Sequence, residues 1–211
     1  EIGVRLVGSE MCIRDRNKIV NSLLLLFGVF VMYSCSNNKN TGMTRAVQAF
    51  KARYNTYYNG HVAYLDGCLA QENGNKDNYT DIIPLYITGN KATVSIGKSD
   101  FDRAVEKCQK TIKQHTITKR PEWNSNKRKT EKDRIWLSQK EYNPFLYKAW
   151  FLMGKAQFQK GEYLEAASTF AYMEQLYFSH PDIIAEARLL QAKCYAEMEW
   201  LYDCLLYTSP S

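Results

Sequence analysis

The sequence predicts an all-α protein built from antiparallel helical hairpins, and three observations predict it. Apolar and aromatic residues recur at helical spacing in several stretches, beginning with Met43, Ala46, Val47, Phe50, Tyr54, Tyr57 and Tyr58. Asn143-Pro144 is a helix start, with an N-capping side chain followed by a proline whose missing N–H costs nothing there. Beyond it Trp150, Met153, Gly154, Gly161, Tyr163, Ala166 and Phe170 alternate bulky and small residues around a turn glycine. Small residues at Gly154 and Ala166 let two antiparallel helices approach closely. Trp150, Met153 and Phe170 are expected to fill the groove between them, and Gly161 to turn the chain.

The elements follow in order. The first helix carries the Met43–Tyr58 face, with Phe50 and the tyrosines expected in the core rather than on display. Asn59-Gly60 reads as its end, and Val62, Leu65 and Leu69 as a second, shorter helix. The polar, Gly- and Asn-rich run 71–78 reads as a loop. Pro84 within Ile82-Ile83-Pro84-Leu85-Tyr86-Ile87 argues for extended chain. Ser99-Asp100-Phe101-Asp102 resembles a capping box, opening a helix with Phe101, Ala104, Val105, Cys108 and Ile112 on one face. Lys119–Lys140 reads as a basic loop with a short charged helix. After His180-Pro181, the residues Ala185, Leu189, Ala192, Tyr195 and Leu201 keep helical spacing. Ala192 stands where Gly154 stands in the preceding copy.

Charge and cysteine usage narrow the function. Lys113–Lys140 holds nine Lys and Arg against three Asp and Glu, a net of +6. Within it Lys127, Arg128, Lys129, Lys132 and Arg134 are the candidates for docking an acidic partner. Cys68, Cys108 and Cys194 show no metal-ligand or CxxC spacing. His61, His115 and His180 are scattered, and no nucleophile elbow or phosphate-binding glycine loop occurs. No catalytic residue, metal, cofactor or small-molecule substrate is expected. Nucleic acid is not an expected partner either, because of the amino-terminal segment.

That segment has a basic flank at Lys18, an apolar run from Leu23 to Tyr33, then Ser34-Cys35-Ser36 and a polar tract. The run is too short to cross a bilayer, which takes about 20 residues, and has the layout of a secretory signal. Val31-Met32-Tyr33-Ser34-Cys35 resembles a bacterial lipoprotein box. That resemblance implies lipid on Cys35 and, with Ser36 rather than Asp next to it, an outer-membrane anchor. Surface-exported lipoproteins of Bacteroidetes usually carry acids close behind the cysteine. The acid-free run from Cys35 to Asp66 departs from that pattern, so the resemblance implies the periplasmic face. Two end segments, Glu1–Arg16 and Cys204–Ser211, resemble translated sequencing-adapter read-through and are expected to be foreign to the fold. The expected organisation is therefore artefact over 1–16, signal peptide over 17–34 and linker over 35–42. A helical region over 43–118, a basic loop over 119–141 and truncated hairpins over 142–203 follow, before the second artefact over 204–211.

The Trp150–Phe170 pattern, echoed 38 positions after Gly154 at Ala192, resembles the tetratricopeptide repeat. It departs from that repeat at Gln157, where a tyrosine is usual. Such hairpins bury their faces only against neighbours and begin an α-solenoid, so further repeats downstream are expected. The mature stretch as a whole resembles Bacteroidetes periplasmic tetratricopeptide lipoproteins of the PorW/SprE type, from the type IX secretion and gliding motility machinery. Carrying that resemblance are Lys51-x-Arg53-Tyr54-Asn55-x-Tyr57-Tyr58-Asn59-Gly60 and Asp77-Asn78-Tyr79-x-x-Ile82-Ile83-Pro84. Asp102-Arg103-Ala104-x-Glu106-Lys107-Cys108, Glu141-Tyr142-Asn143-Pro144 and Trp150 to Phe170 complete it. It implies a non-catalytic adaptor that binds protein partners of an envelope complex. The alternatives are a SusD-like nutrient-binding lipoprotein, marked by exposed aromatics that stack sugars, and an outer-membrane assembly lipoprotein.

Overall fold

The computed structural model describes residues 40–76, 79–80 and 91–198, which belong to one unit spanning Asn40–Ser211. The expectations for the signal segment, Cys35, the extended Ile82–Ile87 stretch, Leu201 and both end segments lie outside the described residues. Among the described residues the protein is all-α. Its helices are α1 (Gly42–Ala52), α2 (Tyr58–Gly74), α3 (Lys91–Val94), α4 (Lys98–His115), α5 (Glu131–Ser138), α6 (Leu146–Gln159), α7 (Tyr163–Leu176) and α8 (Pro181–Glu197). A single π-helical turn, Arg53–Tyr57, joins α1 to α2. No helix among the described residues is long and apolar enough to cross a membrane.

The larger helices stack in chain order. α2 packs on α4, α4 on α6, α6 on α7 and α7 on α8, with little contact between non-neighbours. α6 is therefore covered on two sides, which is why its sequence is apolar almost all round. Toward α2 and α4 it offers Leu152, Met153 and Ala156, meeting Phe101, Ala104 and Cys108. Toward α7 and α8 it offers Phe151 and Phe158, meeting Phe170, Met173, Ala187 and Cys194.

α6 and α7 are antiparallel. Successive contacts pair falling numbers on one helix with rising numbers on the other: Phe158 with Tyr163, Phe151 with Phe170, Trp150 with Tyr172 and Tyr147 with Tyr177. Gly161 makes the turn at φ 80°, a left-handed conformation that side chains resist. Gly154 is the point of closest approach: a Cβ there would lie 2.6 Å from Phe170 ring carbons. Ala166 is fully buried, Tyr163 packs on the core, and Ala192 and Tyr195 take buried and half-buried places on α8. Gln157 accepts a hydrogen bond from Thr169 Oγ1 at 2.8 Å, a polar tie across the hairpin.

Several expectations need correction. Met153 does not fill the α6–α7 groove. It packs with Cys108 and Leu152 toward α4, because a helix apolar on both sides does not declare which neighbour each side chain meets. Asn59-Gly60 does not end a helix: α2 runs through it, and Gly60 is a buried contact whose Cβ would sit 3.1 Å from Lys107 Cβ. Most of the Met43–Tyr58 face is not core: Tyr57 packs against Cys108, Leu152 and Met153 and edge-on to Phe145, but its neighbours on the face do not. Met43, Phe50, Tyr54 and Tyr58 are 59–74% exposed. The helix instead buries Ala52, Thr56, Gly60, Ala63, Gly67 and Gln71, small and polar residues that let α4 come close. Gly97, not Ser99, is the N-cap of α4. Ala185 and Leu189 are exposed, and α8 buries Ala187, Gln191, Ala192 and Cys194.

The predicted α4 face is present, with Phe101, Ala104 and Cys108 fully buried. So is the short charged helix α5, capped by reciprocal bonds between Thr130 and Asp133. Asn143 is not the cap and Pro144 is not the first helical residue. Phe145 is the N-cap and makes no side-chain cap bond, while Asn143 Oδ1 accepts from Phe145 N–H at 3.0 Å within the turn that precedes the helix. The regular helix starts two residues after Pro144.

Candidate interaction site

The basic stretch is built as a loop with fixed ends. Tyr142 N–H donates to Ile117 O at 3.0 Å, and the buried Glu141 carboxylate gathers three donors around the same point. Oε1 accepts from Ile117 N–H at 2.9 Å and Asn143 N–H at 2.8 Å, and Oε2 accepts a short bond from Thr116 Oγ1. Asn143 Nδ2 then donates to His115 O at 2.8 Å. The end of α4 and the start of α6 are thereby tied together, and residues 118–140 leave and return at one clamp.

The loop also has internal structure. Trp123 Nε1 donates to Lys127 O at 2.8 Å, and the Lys127 ammonium lies 5.7 Å from the Trp123 ring centre. Hydrogen bonds from the Thr130 hydroxyl and backbone hold the Asp133 carboxyl below its usual range. Lys127, Arg128, Lys129, Lys132 and Arg134 are all exposed on this scaffold. Arg134 sits 3.8 Å from Glu131. The five cations predicted from sequence are thus brought together on one solvated segment.

A cavity of about 640 Å³ opens beside the clamp, with Trp136, Glu141, Tyr142, Tyr147, Tyr177 and His180 among its walls. Arg45 from α1 covers one side, its guanidinium carbon 5.2 Å from the Trp136 ring centre. Tyr177 is almost fully buried and its hydroxyl has no partner. Burial first, then the charge of Glu141, push its ionisation upward. This phenol stays neutral at physiological pH and is no general base.

The other titratable groups are dispersed. Burial pushes the Cys108 and Cys194 thiols up to about 12, so neither supplies a thiolate nucleophile at neutral pH. Cys68, Cys108 and Cys194 are free thiols. His115 pairs with Gln48 Oε1 at 2.7 Å, and burial, then Lys51, lower its basicity. His180 meets Gln139 at 3.0 Å, and His61 stacks near Tyr57. Among the described residues no group of His, Cys, Asp and Glu is placed to hold a metal.

Sequence reasoning missed Glu141 as the clamp. A carboxylate ahead of Asn143-Pro144 is visible, but two of its three donors lie 24 and 25 positions upstream. It also missed the exposed aromatic face of α1 and α2, since periodicity identifies an apolar face without showing what covers it. No protein-family model matches this chain, and no curated protein matches it.

Proposed function

We propose that the protein is a non-catalytic, lipid-anchored scaffold of the outer membrane, facing the periplasm, that docks protein partners in a type IX secretion or gliding motility complex. The observation that carries this reading is the cationic loop 118–140, held out from a rigid helix stack by the Glu141 clamp. A charged segment fixed at both ends projects its cations from one place on the surface, which steers an acidic partner toward that place. The resemblance to PorW/SprE-type lipoproteins supports the same role.

Within this reading α6 and α7 form a tetratricopeptide hairpin, and α8 is the first helix of the next one. The nearest-neighbour stacking from α2 to α8 is the arrangement a solenoid requires. Lipid on Cys35 supplies the anchor. Cys35→Ala should therefore move the protein from the outer-membrane fraction to the soluble periplasmic fraction, as fractionation and immunoblotting would show. Retention of the variant in the membrane would mean that something other than Cys35 holds it there.

One observation favours the nutrient-binding alternative: Phe50, Tyr54 and Tyr58 are exposed on one helix face. Against it, the Phe50 and Tyr54 rings are tilted by 47° and stand on a helix surface rather than in a cleft. The two readings separate by co-purification. The scaffold reading expects envelope proteins cross-linked to the intact protein in cells, lost together with secretion when Lys127, Arg128 and Lys129 are changed to Glu. Oligosaccharide binding by calorimetry, with partner recovery and secretion unaffected by that triple change, would select the nutrient-binding reading.

A further inference from the structure

The helix running through α1, the π turn and α2 has two opposite faces. Its buried residues Ala52, Thr56, Gly60, Gly67 and Gln71 lie two positions after Phe50, Tyr54, Tyr58, Leu65 and Leu69. Two positions are about 200° of helix rotation, so the second set points away from α4. Met43, Phe50, Tyr54, Tyr58, Leu65 and Leu69 are 50–74% exposed, and Val62 is 38% exposed. Val47, half-buried, completes the row.

The spacing of this row is a palindrome. From Met43 to Leu69 the steps are four, three, four, four, four, three and four. Three consecutive steps of four would drift around a straight α-helix, and the wider π turn at Arg53–Tyr57 takes up the extra residue and keeps the row on one side. Turned end for end about a point at Thr56, the row falls on itself. Met43 meets Leu69, Val47 meets Leu65, Phe50 meets Val62, and Tyr54 meets Tyr58. Such self-complementarity is what a two-fold symmetric interface between identical chains needs.

Charge fixes the direction. Arg45 is turned away from the row, bonded to Asn40 and set over Trp136. Lys51 and Arg53 flank the row in the acid-free half from Met43 to Tyr57, whereas the half from Tyr58 to Glu72 carries Asp66 and Glu72 and no Lys or Arg. An antiparallel pair sets the basic half of each copy against the acidic half of the other, and a parallel pair sets like on like. The row is about 39 Å long at 1.5 Å per residue. Half-exposed side chains of this size offer on the order of 700 Å² per copy, close to the roughly 800 Å² per partner of a standard interface. It also exceeds the few hundred Å² of contiguous apolar surface that monomers usually leave open.

We infer that the α1–α2 face binds a second copy of this chain, antiparallel, with the two-fold axis passing near Thr56. The test uses the full chain in a Cys12→Ser/Cys35→Ser/Cys68→Ser/Cys204→Ser background, which keeps only the buried Cys108 and Cys194. Met43→Cys and Leu69→Cys chains are refolded together or separately and oxidised, with the unsubstituted background as control. Disulfide-linked dimer is expected from the mixture and not from either variant alone. Sedimentation should give twice the chain mass for the wild type and the single chain mass for Tyr54→Glu/Leu65→Glu, with unchanged helical circular dichroism. A monomeric wild type at about 50 μM, Met43→Cys linking to itself as well as in the mixture, or a dimer indifferent to the two glutamates would each overturn the inference. So would a monomer that uses this face to bind phospholipid vesicles or oligosaccharides.

Discussion

Gly154→Leu should destabilise the protein by about 3 kcal/mol, the upper part of the range for overpacked cores. A Cβ alone at this position falls 2.6 Å from two carbons of the Phe170 ring, which is 1% exposed. The ring packs with Phe151 and Met173 and borders a cavity of about 300 Å³, so a shift of the ring relieves part of the clash. The rest of the leucine side chain pushes α6 and α7 apart. For a chain of this length the loss corresponds to a fall in melting temperature of roughly 6–12 °C, readable by circular dichroism. A companion pair keeps the interpretation tied to the contact. Gly154→Ala in a Phe170→Leu background should cost less than Gly154→Ala alone, because the smaller side chain leaves room. Equal costs in both backgrounds would mean that the glycine is not opposed by that ring.

Glu141→Ala should cost about 3 kcal/mol as well, for a different reason. Its carboxylate is the acceptor for Thr116 Oγ1, Ile117 N–H and Asn143 N–H, and the residue is 6% exposed. The Ile117 and Asn143 N–H groups are buried donors, and each such donor left without an acceptor costs about 1–3 kcal/mol, whereas the exposed Thr116 hydroxyl turns to water. Water entering from the adjoining cavity offsets part of that sum. Glu141→Gln keeps one acceptor oxygen and should lose about half as much. The alanine variant should also release the ends of the basic loop, so that limited proteolysis within 118–140 speeds up. A variant with unchanged melting and cutting rates would remove Glu141 from its role as the clamp.

The contrast between α4 and α1–α2 shows what the sequence made legible. On α4 the apolar face and the buried face coincide, so Phe101, Ala104 and Cys108 were readable from spacing. On α1–α2 they are opposite. Contact with α4 there depends on close approach, which selects Ala52, Gly60, Ala63 and Gly67 for size rather than hydrophobicity. A hydrophobic pattern is blind to that stripe, and it turned Gly60 into a stop signal.

The hairpin of α6 and α7 was legible because its glycines have local causes: a left-handed turn at Gly161 and a ring against Gly154. The side of α6 that meets each neighbour was not, as Met153 shows. The candidate site divides in the same way. The cations Lys127, Arg128, Lys129, Lys132 and Arg134 are a compositional fact that any reading of the chain finds. The clamp that gives them a fixed position joins Glu141 to Thr116 and Ile117 across the whole length of the loop. Only the fold brings those groups together.

Whether the basic loop docks a protein partner is decided by the rate at which the intact protein associates, as a function of salt, with whichever envelope protein cross-links to it in cells. Wild type and the Lys127→Glu/Arg128→Glu/Lys129→Glu variant are compared. Exposed charges contribute little to stability, so melting should be the same in both. Charges at the rim of an interface act chiefly through steering. The wild-type rate should fall steeply with ionic strength, and the variant should associate at least tenfold more slowly at low salt with a much flatter dependence. Matching rates and matching salt slopes would contradict the account and leave the basic loop a solvated surface with no part in docking.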